Sequence, residues 1–195
     1  MLTVCAGDAS AEAGPAPDAS PLKRFAIEIN PLAVGIGRYS LQAEAVVAKH
    51  HAITANPFFV HLPMRYELAA IDGGTLTGFG GELGYRFYSG SGGPEGFFIG
   101  PSAIFAAYSN EGGGPGTEPF TTFGAAADIG GQLMLGPGVV LGAGLGVQYL
   151  RPSTGYGGAC SGGCAYSAAD LDASSRRIVE GGVSPRILLA MGYAF

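Results

Sequence analysis

Between Phe97 and Gln148 the chain runs through three long segments whose only charged residues are Glu111, Glu118 and Asp128. The first two fall in one Gly/Pro-rich connection, "EGGGPGTEP" (111–119), which leaves Asp128 as the one charge on strand. Successive side chains of a strand point to opposite faces, so a sheet in water needs one polar face. Three adjacent strands with a single carboxylate cannot supply it. In a bilayer the requirement reverses: apolar residues meet the lipid tails, and small or polar residues fill the interior.

The alternation itself is specific. On 119–135, Phe123, Ala125, Ala127, Ile129, Leu133 and Leu135 face one way, against Thr122, Gly124, Ala126, Asp128, Gly130 and Gln132. On 138–151 the apolar set Val139, Leu141, Ala143, Leu145, Val147 and Tyr149 opposes Gly142, Gly144, Gly146 and Gln148. Segments 76–88 and 39–48 follow the same logic: Phe79, Leu83, Tyr85 and Phe87 oppose Glu82 and Arg86, and Leu41, Ala43, Ala45 and Val47 oppose Gln42 and Glu44.

Period two, broken by Gly/Pro clusters, predicts strands over 23–36, 39–48, 51–62, 76–88, 96–109, 119–135, 138–151 and 182–195. Several are longer than the ~5–6 residues usual in globular proteins. The stretch "LMLGPGVVLGAGLGVQYL" (133–150) is apolar enough to suggest a spanning helix. Gly136-Pro137-Gly138 and its many glycines make it two strands and a tight turn instead. The connections are "GR" (37–38), "KHH" (49–51), 63–75, "SGSGGPE" (89–95), "EGGGPGTEP", "GPG" (136–138) and about 152–181. From the second onward alternate ones are shorter, as in barrels with short periplasmic turns and longer outer loops. The short first outer connection departs from that pattern. Within the last, "YSAADLDASSRRIVE" allows a turn or two of helix.

The stretch "SPRILLAMGYAF" (184–195) carries a stripe of Ile187, Leu189, Met191, Tyr193 and Phe195, with Arg186 on the other face. With this stripe, the strand number and the loop alternation on the page, residues 22–195 resemble the small eight-stranded OmpA/OmpX-type outer-membrane β-barrel superfamily of diderm bacteria. The opening "FAIEINPLAVGIGRYSLQAEAVVA" also looks like the first hairpins of some bacterial barrels. The resemblance implies an all-β, antiparallel, transmembrane up-and-down barrel in the bacterial outer membrane. It also implies that Ile187, Leu189, Met191, Tyr193 and Phe195 are read by the outer-membrane assembly machinery. Residues 1–21, small and Pro/Ala-rich, are expected to be a signal remnant or disordered linker. Cys5 in "LTVC" resembles a lipoprotein box, except that Val4 stands where that motif has a small residue.

Two features depart from the pattern. Pro31, Pro57, Pro101 and Pro185 fall inside expected strands, where they mark strand ends or bulges. The chain has no Trp, so an interfacial aromatic belt would rest on Phe and on Tyr39, Tyr85, Tyr88, Tyr149 and Tyr193.

Glu28, Glu44, Glu82, Arg86, Asp128 and Arg186 all take the inward register. An ion path or a proton site is one reading of them. A paired network that fills the barrel is the favoured one, because an eight-stranded lumen holds little beyond side chains and buried charges need partners. The inward glycines Gly142, Gly144 and Gly146 would leave room for the long Arg side chains. His50 and His51 point to opposite faces and cannot readily share a ligand, and no serine sits at a persuasive spacing from His61, although Glu67 is close. "CSGGC" has too few thiolates for a zinc site and reads as a Cys160–Cys164 disulfide in an oxidising compartment. "GAGLGVQ" and "GFGGELG" lack the following helix that a nucleotide-binding loop requires. A net charge of −5 with no basic patch argues against nucleic acid.

The expected function is therefore that of a small non-catalytic outer-membrane protein with no cofactor or metal, acting through envelope structure or loop-mediated binding. Its partners would be the lipid bilayer, the assembly machinery and an unidentified loop ligand. The alternatives are a lipid-modifying enzyme of the lipopolysaccharide acyl hydrolase type and a narrow pore.

Overall fold

In the computed structural model the described residues are 23–65, 72–90, 93–111, 119–153, 178 and 180–195. Eight antiparallel strands close into an up-and-down barrel in sequence order. They are β1 (Phe25–Ile29), β2 (Arg38–Ala48), β3 (His51–Arg65), β4 (Asp72–Tyr88), β5 (Gly96–Glu111), β6 (Phe120–Leu135), β7 (Val139–Pro152) and β8 (Gly182–Ala194). Closure is made by β1 against β8, with Ile27 opposite Tyr193 and Ile29 opposite Met191. Phe195 completes it: its N–H donates to the Phe25 carbonyl at 2.8 Å, and its ring lies against that of Phe25.

The expected first strand, 23–36, is corrected. It stops at Ile29, and a short helix α1 (Pro31–Gly35) follows. Asn30 and Pro31 explain the change. The Asn30 side-chain oxygen accepts from the Ala33 N–H, and Pro31 opens the first turn, where a missing N–H costs nothing. Gly37 then turns the chain at φ +76°, and a Cβ there would meet the His61 carbonyl oxygen at 2.3 Å. The first connection is thus 30–37 rather than "GR", while β3 reaches Arg65 and β4 starts at Asp72, so the connection expected over 63–75 shortens to 66–71 and is no longer than 89–95. The short connections 49–50 and 136–138 lie at the opposite end, beside both strand termini.

Three of the four prolines fall where the ladder is open. Pro57 sits between the Ser40–Phe58 and Ala43–Ala55 pairs, where the β2–β3 register is interrupted. Pro101 sits in the matching β4–β5 interruption, between Gly84–Ser102 and Phe87–Ile99. Pro185 pairs with β7 but has no β1 partner across from it. Each location spares a strand the N–H that proline lacks.

The two faces separate as the sequence implied. Outward Phe79, Leu83, Ile129 and Leu145 are all about two-thirds exposed, while inward Glu28, Glu44, Thr122 and Gln132 are buried. Outward aromatics gather toward the two ends of the strands. Tyr39, Phe59, Phe79, Phe105, Phe123 and Tyr149 lie toward the long connections, and Phe25, Tyr85, Phe87, Phe97 and Tyr193 toward the short turns. Aliphatic residues, with a few glycines and prolines, occupy the outward positions between them. Among the described residues no charged side chain does.

Candidate functional site

The lumen holds the chemistry, and it is layered. Toward the short turns Ala26, Val140 and Ala194 pack together, and above them Val46, Ala52, Tyr88 and Phe98. Two polar clusters follow. Toward the long connections the lumen turns apolar again, with Phe58, Val60, Leu76, Ile104, Tyr108 and Leu150 among the buried residues and Ile178 of the last connection packed against them.

The first polar cluster centres on Arg86 from β4. Its Nη1 donates to Glu44 Oε2 at 2.8 Å and lies 4.0 Å from Glu28 Oε2. Gln42 donates to Glu28 Oε2 at 2.8 Å, and Gln132 donates to Glu28 Oε1. The Tyr88 hydroxyl donates to Gln132 Oε1 at 2.9 Å, and the Arg86 guanidinium rests over the Phe98 ring at 4.4 Å. Five strands contribute, so the cluster ties opposite walls together.

The second cluster centres on Glu82. Arg186 donates to both of its oxygens, at 2.9 and 3.3 Å, and Ser102 donates to Oε1 at 2.6 Å. Arg186 Nε also lies 3.3 Å from Asp128 Oδ1. Gly146 makes this possible, since a Cβ there would meet Asp128 Oδ1 at 1.9 Å and Arg186 Cγ at 3.0 Å. The other two glycines expected to make room for arginine do something else. Gly144 lies under Phe98, and Gly142 lies beside Ala190 and Gln132. Between the clusters the free space is about 10 Å³, enough for about one water molecule.

All six charged residues assigned inward by register, Glu28, Glu44, Glu82, Arg86, Asp128 and Arg186, meet in these clusters. Two further residues belong there. Arg38 stacks on the Phe58 ring at 4.0 Å and reaches within 3.5 Å of Glu82 Oε2. The sequence places it in the Gly37-Arg38 turn, yet it shares the register of Ser40, Gln42 and Glu44. Tyr88 is corrected from belt to lumen: at 1 % exposure it continues the inward series Glu82, Gly84, Arg86. Tyr39, Tyr85, Tyr149 and Tyr193 do lie on the outer face.

The stripe Ile187, Leu189, Met191, Tyr193 and Phe195 faces outward as expected, with Leu189 half-buried. The histidines are dispersed. His50 Nδ1 lies against the Tyr88 and Gly90 carbonyls, His51 bonds with the outward Tyr85 hydroxyl, and His61 stacks on Phe59. Cys160, Cys164, Cys5, Glu67 and segment 1–21 lie outside the described residues. Family models, curated proteins and solved structures were compared with the chain and none matched, so its functional reading rests on the geometry of the wall and lumen.

Proposed function

We propose that this chain is an integral outer-membrane barrel of the OmpA/OmpX type, non-catalytic and closed to axial ion flow, which acts through its place in the envelope and through binding at its long-connection end. One observation carries the reading: an outward aliphatic band between two aromatic zones, around a lumen that holds the charges in pairs. A bilayer selects for this arrangement because apolar tails reward the band and amphipathic rings suit the two interfaces. Water would disfavour it, since a monomeric soluble protein rarely exposes so large an apolar surface. The expected result is that the protein stays in washed outer membranes until detergent is added, and that folded and boiled samples migrate differently on SDS gels. A chain that stays soluble and monodisperse without detergent overturns the reading.

The pore alternative is disfavoured by the plug, in which Arg86 and Arg186 bridge the axis to carboxylates. Planar bilayers carrying the folded protein should show negligible steady conductance, and stable ion-selective currents would reverse this conclusion. No observation favours the acyl hydrolase alternative. The outward stripe ending at Phe195 is the segment the assembly machinery would engage. Phe195→Asp should therefore lower the amount of assembled barrel in cells well below its effect on stability after refolding in detergent. Normal surface levels of the variant would refute that role.

A further inference from the structure

Among the described residues the strand ladder is incomplete on one side, where α1 rather than a strand lies against β8. β1 pairs with β8 only from Ala26–Ile29 to Met191–Ala194, because Asn30-Pro31 diverts the chain into α1. β8 runs on to Gly182 against β7, so its residues 183–190 have no ladder partner on the β1 side among the described residues. An unpaired strand edge at membrane depth is tolerated where it lines a cavity. A cavity of about 550 Å³ lies there. Its lining takes Arg186 and Leu188 from the inner face of β8 and Ile187 and Leu189 from the outer face, so the space passes through the wall at this seam. The rim is apolar, with Leu32 and Ile36 of the diverted segment more than half exposed.

Inside, Phe58, Val60, Ile104, Tyr108 and Leu150 make the apolar upper part of the chamber, whose floor is formed by the polar clusters, with Glu28, Gln42, Arg86 and Arg186 also lining it. Arg38 stands at the boundary. Glu82 is already held by both Arg186 donors and by Ser102, and does not depend on it. Arg38 Nε is buried without a hydrogen-bond partner, and Nη2 beside it faces Glu82 Oε2 at 3.5 Å without donating a hydrogen bond. That edge of a guanidinium is the fork that pairs with a carboxylate through two parallel bonds, and Arg38 is among the residues that line the cavity; to use that edge on a ligand it would have to turn from Glu82.

We propose that this chamber binds a single-chain amphiphile with a carboxylate head, a long-chain fatty acid or similar molecule, admitted from the bilayer through the β8 seam and held by Arg38. The volume is that of a site for one small ligand and is too small for a two-tailed phospholipid with its head group. Bilayer access rests on the outer-membrane reading above. Closure of the axis by the two clusters is compatible with it, because the entry is lateral.

The test uses full-length protein in phospholipid vesicles, with palmitate carrying a diazirine near its tail as the probe. After photolysis, peptide mass spectrometry should find saturable labelling of inward residues such as Val60, Ile104 or Leu150, removed by excess palmitate. Arg38→Gln should weaken that labelling about tenfold, the loss expected for one charge-assisted contact. Ser40→Phe and Ala190→Phe, both facing the chamber, should block it by filling space, with gel mobility of unheated samples certifying the fold. Labels confined to outward residues such as Phe79 or Leu145, or inward labels insensitive to competitor, overturn the proposal. Inward labelling that Arg38→Gln leaves unchanged overturns the carboxylate assignment. Vesicle flotation separates the two readings: a chain that does not float with lipid defeats the membrane reading and this one with it, whereas a floated barrel without inward label defeats only this one.

Discussion

Arg86→Ala is expected to destabilise the folded barrel by about 3–5 kcal/mol, the cost of leaving buried charges without a partner. Glu44 and Glu28 are the groups left behind. Both are almost wholly buried, and Arg86 is the only arginine within ion-pair distance of either among the described residues. Gln42 and Gln132 would still hydrogen-bond Glu28, but neither can neutralise it. Arg186→Ala removes an equally direct contact with a smaller expected loss, because Arg38 stands 3.5 Å from the freed Glu82. Urea unfolding of refolded protein in vesicles would measure both. A double variant, Arg86→Ala with Glu44→Gln, should recover part of the loss and so show that the charge, rather than the volume of the side chain, is responsible. If Arg86→Ala unfolds with the wild-type midpoint and slope, the interior is hydrated and the pairing described here is not what holds it together.

Much of this interior was legible because β-structure fixes side-chain parity. Once Gln42 and Glu44 were inward, Ser40 and Arg38 had to follow, and once Glu82 and Arg86 were inward, so did Tyr88. For Arg38 and Tyr88 a stronger local cue overrides parity. Gly37-Arg38 looked like a complete two-residue turn, and tyrosine in an apolar chain suggested an interface belt. The end of β1 was also written in the chain, since Asn30-Pro31 is a helix-opening pair, but the surrounding apolar alternation masked it. The seam was not legible. It depends on how far segment 25–29 runs along segment 191–194, and no local pattern states the pairing length of two strands so far apart in sequence. Burial of the charges was readable from alternation, whereas the division into two clusters required the register between strands. Gly146 shows the difference. Its inward parity was evident, but that it clears a path for Arg186, while Gly144 lies under Phe98, follows only from which residues sit across from each.

Leu145→Arg should separate the membrane reading from a soluble one by the sign and size of its effect. Leu145 lies mid-strand on β7, opposite Ile129 on one side and Ile187 on the other, with its side chain 63 % exposed. On a soluble protein such an exposed position tolerates arginine, within about 0.5 kcal/mol, and the added charge aids solubility. In a bilayer the same position lies in the hydrocarbon between the two aromatic zones. There an arginine on the lipid face costs about 2–4 kcal/mol near the midplane and about 0–1 near the interfaces. The expected result is a large loss of stability for Leu145→Arg in phospholipid vesicles and a small one for Tyr149→Arg, which lies on the same face of the same strand toward its end. The pair controls for the chemistry of arginine, since only depth differs in the membrane account. Ile129→Arg, across the β6–β7 ladder from Leu145, should repeat the large loss. Equal and small effects at all three positions would mean that the outward band meets water, and the apolar surface would then need a protein partner to cover it.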